Sequence, residues 1–169
     1  MVFQKSPRKN KFPGTRAQAM VEFAIALPVL LVLLIGIMEV GRMLVMYALV
    51  NNASRDAVRY ASSYGIESSG AQYARYKYCA GIKSRATNSA YFVPLSTITI
   101  SYDSGPGTTS LGSCTATSGE QNITIATGSR VTVTVTATYK PVVKLIPISQ
   151  RTFTATSSRT IIGIVSLQN

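Results

Sequence analysis

Hydrophobic and polar positions follow three different patterns along this chain. From Phe23 to Met38 there is no period at all: Phe-Ala-Ile-Ala-Leu-Pro-Val-Leu-Leu-Val-Leu-Leu-Ile-Gly-Ile-Met runs without a charge. From Met46 to Ala61 apolar residues recur at 46, 49, 50, 53, 57, 60 and 61, one stripe of an α-helix, with Asn51, Asn52, Arg55, Asp56 and Arg59 between them. Beyond Gly65 the period becomes two. Thr97–Tyr102, Asn122–Ala126 and Arg130–Tyr139 alternate apolar with Thr, Ser or Asn, the pattern of half-buried strands.

These periods predict three segments. Residues 1–17 form a short polar leader. Residues 18–65 form one long helix, apolar on all sides over about 20–41 and amphipathic beyond, with Gly65 as its stop signal. Residues 66–169 form a β-rich domain, with a short helix within Ala71–Ala86 around Tyr73, Tyr76 and Tyr78. Its strands are the three alternating runs plus Arg151–Thr156 and Arg159–Val165, four or five in a mainly antiparallel sheet. In Arg130–Tyr139 one face carries Val131, Val133, Val135, Ala137 and Tyr139, and threonines fill the other. A face of that kind needs a cover, and the amphipathic half of the helix is the nearest one. The expected fold class is therefore α+β, a long helix packed on a small antiparallel sheet. Asp103 to Gly119 reads as a long polar loop.

Length decides what the apolar run is for. Sixteen uncharged residues lie between Glu22 and Glu39; at 1.5 Å each they span about 24 Å, and the interfacial turns on either side bring the rod to a hydrocarbon core of about 30 Å. Pro28 removes one hydrogen bond from the middle of this helix. Charge sets its direction. Lys5, Arg8, Lys9, Lys11 and Arg16 precede the run with no acid among them, which places the amino terminus in the cytoplasm and everything after about Gly41 outside. A cleaved secretory signal is the bland competitor, but Ile37-Met-Glu-Val-Gly-Arg42 offers no small-x-small cleavage site.

The formal net charge of +11 invites a nucleic-acid reading. Setting aside the five leader cations leaves twelve basic residues against six acids, so much of the excess is a topology signal. Nucleic acid is not an expected partner. Cys79 and Cys114 both lie beyond the span; outside the cytoplasm a disulfide is the default, and two unrelated buried thiols are the other reading. The chain has no histidine, and its six acids, Glu22, Glu39, Asp56, Glu67, Asp103 and Glu120, form no acid/base pair or calcium loop. No phosphate-cradling or nucleophile motif occurs. Neither an enzyme nor a cofactor or metal site is expected.

Glu22 stands at the mouth of the apolar rod, where a carboxylate costs a few kcal/mol and is suspected of function. Arg16-Ala-Gln-Ala-Met-Val-Glu-Phe-Ala-Ile-Ala-Leu-Pro28, continuing to Ile37-Met-Glu-Val-Gly-Arg42, resembles the TadE-like pilins and pseudopilins of tight-adherence (Flp-type) pili. Asn51-Asn-Ala-Ser-Arg-Asp-Ala-Val-Arg-Tyr-Ala61 is similar to that family's helical N-A-A-R-E-G-A-R-Y-A, and Tyr139–Pro147 followed by Thr152–Thr156 resembles its carboxy-terminal pattern more loosely. The resemblance implies cleavage by a prepilin peptidase between Ala17 and Gln18, making Glu22 the fifth mature residue. Family members usually carry glycine where Ala17 stands. Phe23, Pro28, Glu39 and Arg42 are expected to serve helix packing; Glu39 and Arg42, three apart, can pair near the outer interface, as can Asp56 and Arg59. The partners implied are other pilin subunits, the peptidase, an assembly platform with its ATPase, and the membrane.

Cleavage would expose an ammonium near the Glu22 carboxylate. In a bundle of such helices the ammonium of one subunit meets the carboxylate of the next, and the pairing sets axial register. Snorkelling of Glu22 to the headgroups is the plainer alternative. The expected function is that of a pilus structural subunit, major or minor, passing from the cytoplasmic membrane to the cell surface. A membrane-anchored accessory protein, or an adhesin-like module using the 103–119 loop, are the rivals.

Overall fold

The computed structural model describes residues 14–63, 74–116, 121, 123, 125, 126, 128–143 and 149–162. Two compact units divide the chain, residues 1–40 and 41–169. Helix α1 (Gly14–Ser62) is one continuous element of 49 residues with Pro28 inside it. A 3-10 turn (Arg75–Lys77) leads to α2 (Cys79–Ser89), and four strands follow: β1 (Leu95–Asp103), β2 (Ser110–Ser113), β3 (Arg130–Tyr139) and β4 (Arg151–Thr160). The sheet order is β2-β1-β3-β4, each neighbour antiparallel. The α+β class expected from the periods is the class observed.

In the first unit, the described residues form a helix and little else. Every residue from 17 to 34 is exposed, including Phe23 at 64%, Ile25 at 69% and Val29 at 68%. The 18-residue window of highest mean hydropathy, 2.7, contains no buried residue. An exposed apolar run of this length needs lipid or another apolar surface as cover. Because Pro28 has no N–H, the carbonyl four residues back, at Ala24, lacks its usual helical donor.

The second unit is built on the face that alternation predicts. Along β3 burial alternates without exception: Val131, Val133, Val135 and Ala137 have no exposed surface and Tyr139 has 1%. Burying each valine contributes roughly 1.5–3 kcal/mol. Ile100 and Tyr102 of β1 and Ala155 of β4 add to the same core. So do Val50, Ala53, Ala57 and Ala61 of α1, with Met46, Leu49 and Tyr60 packed against them. The stripe read from the sequence is thus the stripe buried. It is also wider than read, because Val58 and Ser54 are buried too. Ser54 Oγ bonds the Asn51 carbonyl and lies 2.9 Å from Ser157 Oγ of β4, which is how a hydroxyl is accommodated in the core.

On the opposite face of the sheet the threonines satisfy one another. Thr132, Thr134 and Thr136 of β3 hydrogen-bond Ser158, Thr156 and Thr154 of β4 at 2.8, 3.0 and 3.4 Å. Such cross-strand pairs stabilise the ladder by tenths of a kcal/mol each. At one end of the sheet the register sets Asp103 opposite Arg130. Arg130 Nε donates to Asp103 Oδ1 at 2.7 Å and Nη2 to Oδ2 at 3.1 Å, while Thr132 Oγ1 donates to Oδ2 at 3.3 Å. The guanidinium holds the Asp103 carboxyl below the usual carboxylate range.

Four expectations need correction. The short helix begins at Cys79, after a 3-10 turn, rather than near Ala71, and it runs on to Ser89. Asn122–Ala126 is not a strand at its described positions, 123, 125 and 126. There Ile125 packs into the core from irregular backbone, and the neighbouring Gln121 side chain accepts from the backbone of Thr115 and Ala116. The strand expected at 159–165 is absorbed: β4 runs unbroken from 151 to 160, and 161 and 162 lie outside it. Finally, the segment expected as a display loop contains β2, which pairs with β1 through Ser101, Tyr102 and Asp103. The positive φ of Gly107 (78°) lets the chain turn between β1 and β2 without side-chain strain. Gly65 and residues 163–165 lie outside the described residues.

Candidate assembly helix

The residues singled out in the sequence fall into two places. Ala17, Gln18, Glu22, Phe23 and Pro28 lie on the exposed rod of the first unit. Cys79 and Cys114 lie in the second unit.

On the rod, the Ala17–Gln18 bond sits in the opening turns of α1, which starts at Gly14. The first turn carries no acidic residue to complement the helix dipole. The first four N–H groups of any helix lack an intrahelical acceptor, so these turns are the cheapest to unwind. Gln18 and Glu22 are four apart, about 6 Å along the axis and on one face. Glu22 is exposed beside Phe23 and Ala26, at the head of a shallow apolar depression that continues past Leu30 to Leu33.

Glu39 differs from its neighbours. Between residues 17 and 40 it is the only buried position, 3% exposed, whereas a site at the outer interface was expected. In the second unit the Arg42 guanidinium lies 5.8 Å from the Tyr139 ring centroid, a cation–π contact that the sequence did not signal. Asp56, expected to pair with Arg59, accepts instead from Ser89 Oγ at 2.8 Å.

Cys79 and Cys114 are joined in a disulfide, with Cα atoms 5.6 Å apart and 35 positions between them in sequence. The bridge fastens the start of α2 to the chain leaving β2. Close by, the Tyr102 phenol donates to the Tyr76 carbonyl, and burial pushes its pKa well above the ordinary value. Both features hold the Tyr76–Cys79 segment to the sheet.

Residues 17–59 match the family of TadE-like proteins. The amino-terminal helix is a TadE-like segment. The match opens at Ala17, the residue before the expected cut, and closes at Arg59, an exposed residue of the amphipathic half of α1. It covers about a quarter of the chain and lies wholly within α1. No curated protein and no solved structure gives a significant match. The TadE-like segment associates the chain with tight-adherence pilus systems, and α1 is long and apolar enough to cross a membrane.

Proposed function

We propose that this protein is a structural subunit of a tight-adherence, type IV-like pilus. A prepilin peptidase cuts it between Ala17 and Gln18, and the TadE-like helix then packs against its counterparts in the filament. The observation that carries the reading is the pairing, on one helix, of a fully exposed apolar rod with a single carboxylate, Glu22, at its head. The exposed rod supports two successive environments, the bilayer first and a bundle of like rods afterwards. A carboxylate at the edge of either is costly when alone. The ammonium left by cleavage four residues away offers a partner from a neighbouring copy, so that charge pairing fixes how far one rod slides along the next. The second unit faces outward and performs no catalysis. Assembly platform, ATPase and peptidase are the partners this route requires.

Intact-mass analysis of the native protein tests the processing step. A chain beginning at Gln18 is the expected result. A chain retaining the leader to Met1 would remove the ammonium from the scheme and leave the membrane-anchored accessory protein as the better reading.

A further inference from the structure

At one end of the sheet the second unit exposes an aromatic pair that its own fold holds in place. The turn between α2 and β1 is closed by the Val93 N–H donating to the Ala90 carbonyl at 2.8 Å. Ala90 and Val93 on either side are buried, at 1% and 8% exposure. Tyr91 and Phe92 between them are 81% and 83% exposed, with ring centroids 5.2 Å apart in an edge-to-face arrangement. Anchored flanks with two large rings turned out is not the pattern of a loose loop. It leaves apolar surface without cover.

The place of this turn says what covers it. Phe92 and Tyr139 line a groove together with Gly41, Arg42, Met46 and Leu49 of α1. With Glu22 at the cytoplasmic boundary, a hydrocarbon core of about 30 Å takes up roughly 20 helical residues and ends near Arg42. A headgroup layer of several ångströms then extends to about Met46. The end of the groove formed by Gly41, Arg42 and Met46 therefore belongs to the turns of α1 that cross the headgroups. The same end of the sheet carries the exit from β3, where Val142 is 70% exposed and Lys140 adds a cation to Arg42. Aromatic rings, an aliphatic side chain and two cations at that depth have the composition of an interfacial anchor.

We infer that the Tyr91–Phe92 turn is a lipid-contacting foot, seated at the boundary between headgroups and acyl chains, that docks the outer domain on the bilayer surface. The span alone tethers the domain; the foot gives it a second attachment and a fixed stance while the subunit resides in the membrane. This stands whether or not the protein later enters a filament.

The chain contains no tryptophan, so one introduced residue reports alone. Phe92→Trp and Leu111→Trp would each be placed in the full chain and reconstituted in vesicles with plain or acyl-brominated phosphatidylcholine. Leu111 lies in β2, beside the far end of β1, about 25 Å from the foot at ~3.3 Å per residue. The Phe92→Trp emission should fall at least about two-fold in brominated lipid, while Leu111→Trp keeps its emission, because only the foot reaches the acyl boundary. Equal quenching of both, or of neither, overturns the assignment. So does protection of the Phe92→Trp ring from aqueous acrylamide that disappears when protein is diluted at constant lipid, since a second copy would then be the cover. Vesicles hold no peptidase or pilus machinery, so the outcome is independent of the filament reading.

Discussion

Reducing the Cys79–Cys114 bridge, or replacing both residues in C79A/C114A, releases a loop of 35 residues that joins α2 to the end of β2. Closing a loop of that length removes about 3–4 kcal/mol of chain entropy from the unfolded state. Both cysteines are nearly without exposed surface, so the bridge is part of the core that α2 and β1 share. For a unit of this size each kcal/mol moves the midpoint by about 4 °C, so the reduced protein should melt about 12–16 °C lower. The span stays helical in detergent, which makes far-ultraviolet signal a poor reporter. Near-ultraviolet dichroism from the tyrosines, Tyr102 above all, reads the second unit instead. The full chain in micelles would be heated with and without reductant, alongside C79A/C114A. Midpoints agreeing within about 3 °C would mean the bridge constrains nothing that unfolds, and the loop-entropy argument would be wrong here.

Ile100→Ala removes a side chain 1% exposed at the centre of the sheet and should destabilise the second unit by about 2–5 kcal/mol, whereas Thr134→Ala on the hydroxyl face should cost less than about 1 kcal/mol; thermal melts of the two variants check the ranking. Asp103 has its folded pKa depressed by Arg130, so its contribution is fully present above the ordinary carboxylate range and is lost as pH falls through the lowered value. The midpoint difference between wild type and Asp103→Asn should accordingly shrink as melts are taken from neutral pH down to pH about 3, and a constant difference would refute the linkage.

Much of this architecture was legible because period and burial coincide. The stripe from Met46 to Ala61 and the valine face of β3 are two halves of one core, and each announces itself by spacing alone. The cysteine pairing was the default for a segment expected outside the cytoplasm. Other features depend on partners distant in sequence. Ser110–Ser113 has no alternation and becomes a strand only because the edge of β1 offers it hydrogen bonds. Asn122–Ala126 alternates well, yet its described positions lie outside the sheet, and side-chain bonds from Gln121 organise the backbone nearby. Asp103 and Arg130 are unremarkable until strand register sets them opposite each other. On the rod, Glu22 was visible as a lone charge beside an apolar run. Glu39 was visible as the charge that closes the apolar run, and its burial has no counterpart in the local pattern. The Tyr91–Phe92 turn was passed over because two aromatics in a turn carry no periodic signal; what marks it is its buried flanks and the groove that Phe92 lines with α1.

The claim that Glu22 serves assembly rather than insertion is tested most directly by following Glu22→Ala between membranes and sheared surface fibres of cells that make the whole system. Removing the carboxylate leaves the apolar rod longer, so the variant should enter the membrane as fully as wild type and be cleaved after Ala17, yet be missing from the fibre fraction. Recovery of Glu22→Ala in fibres at the wild-type level would contradict the account, since the rods would then find their register without it.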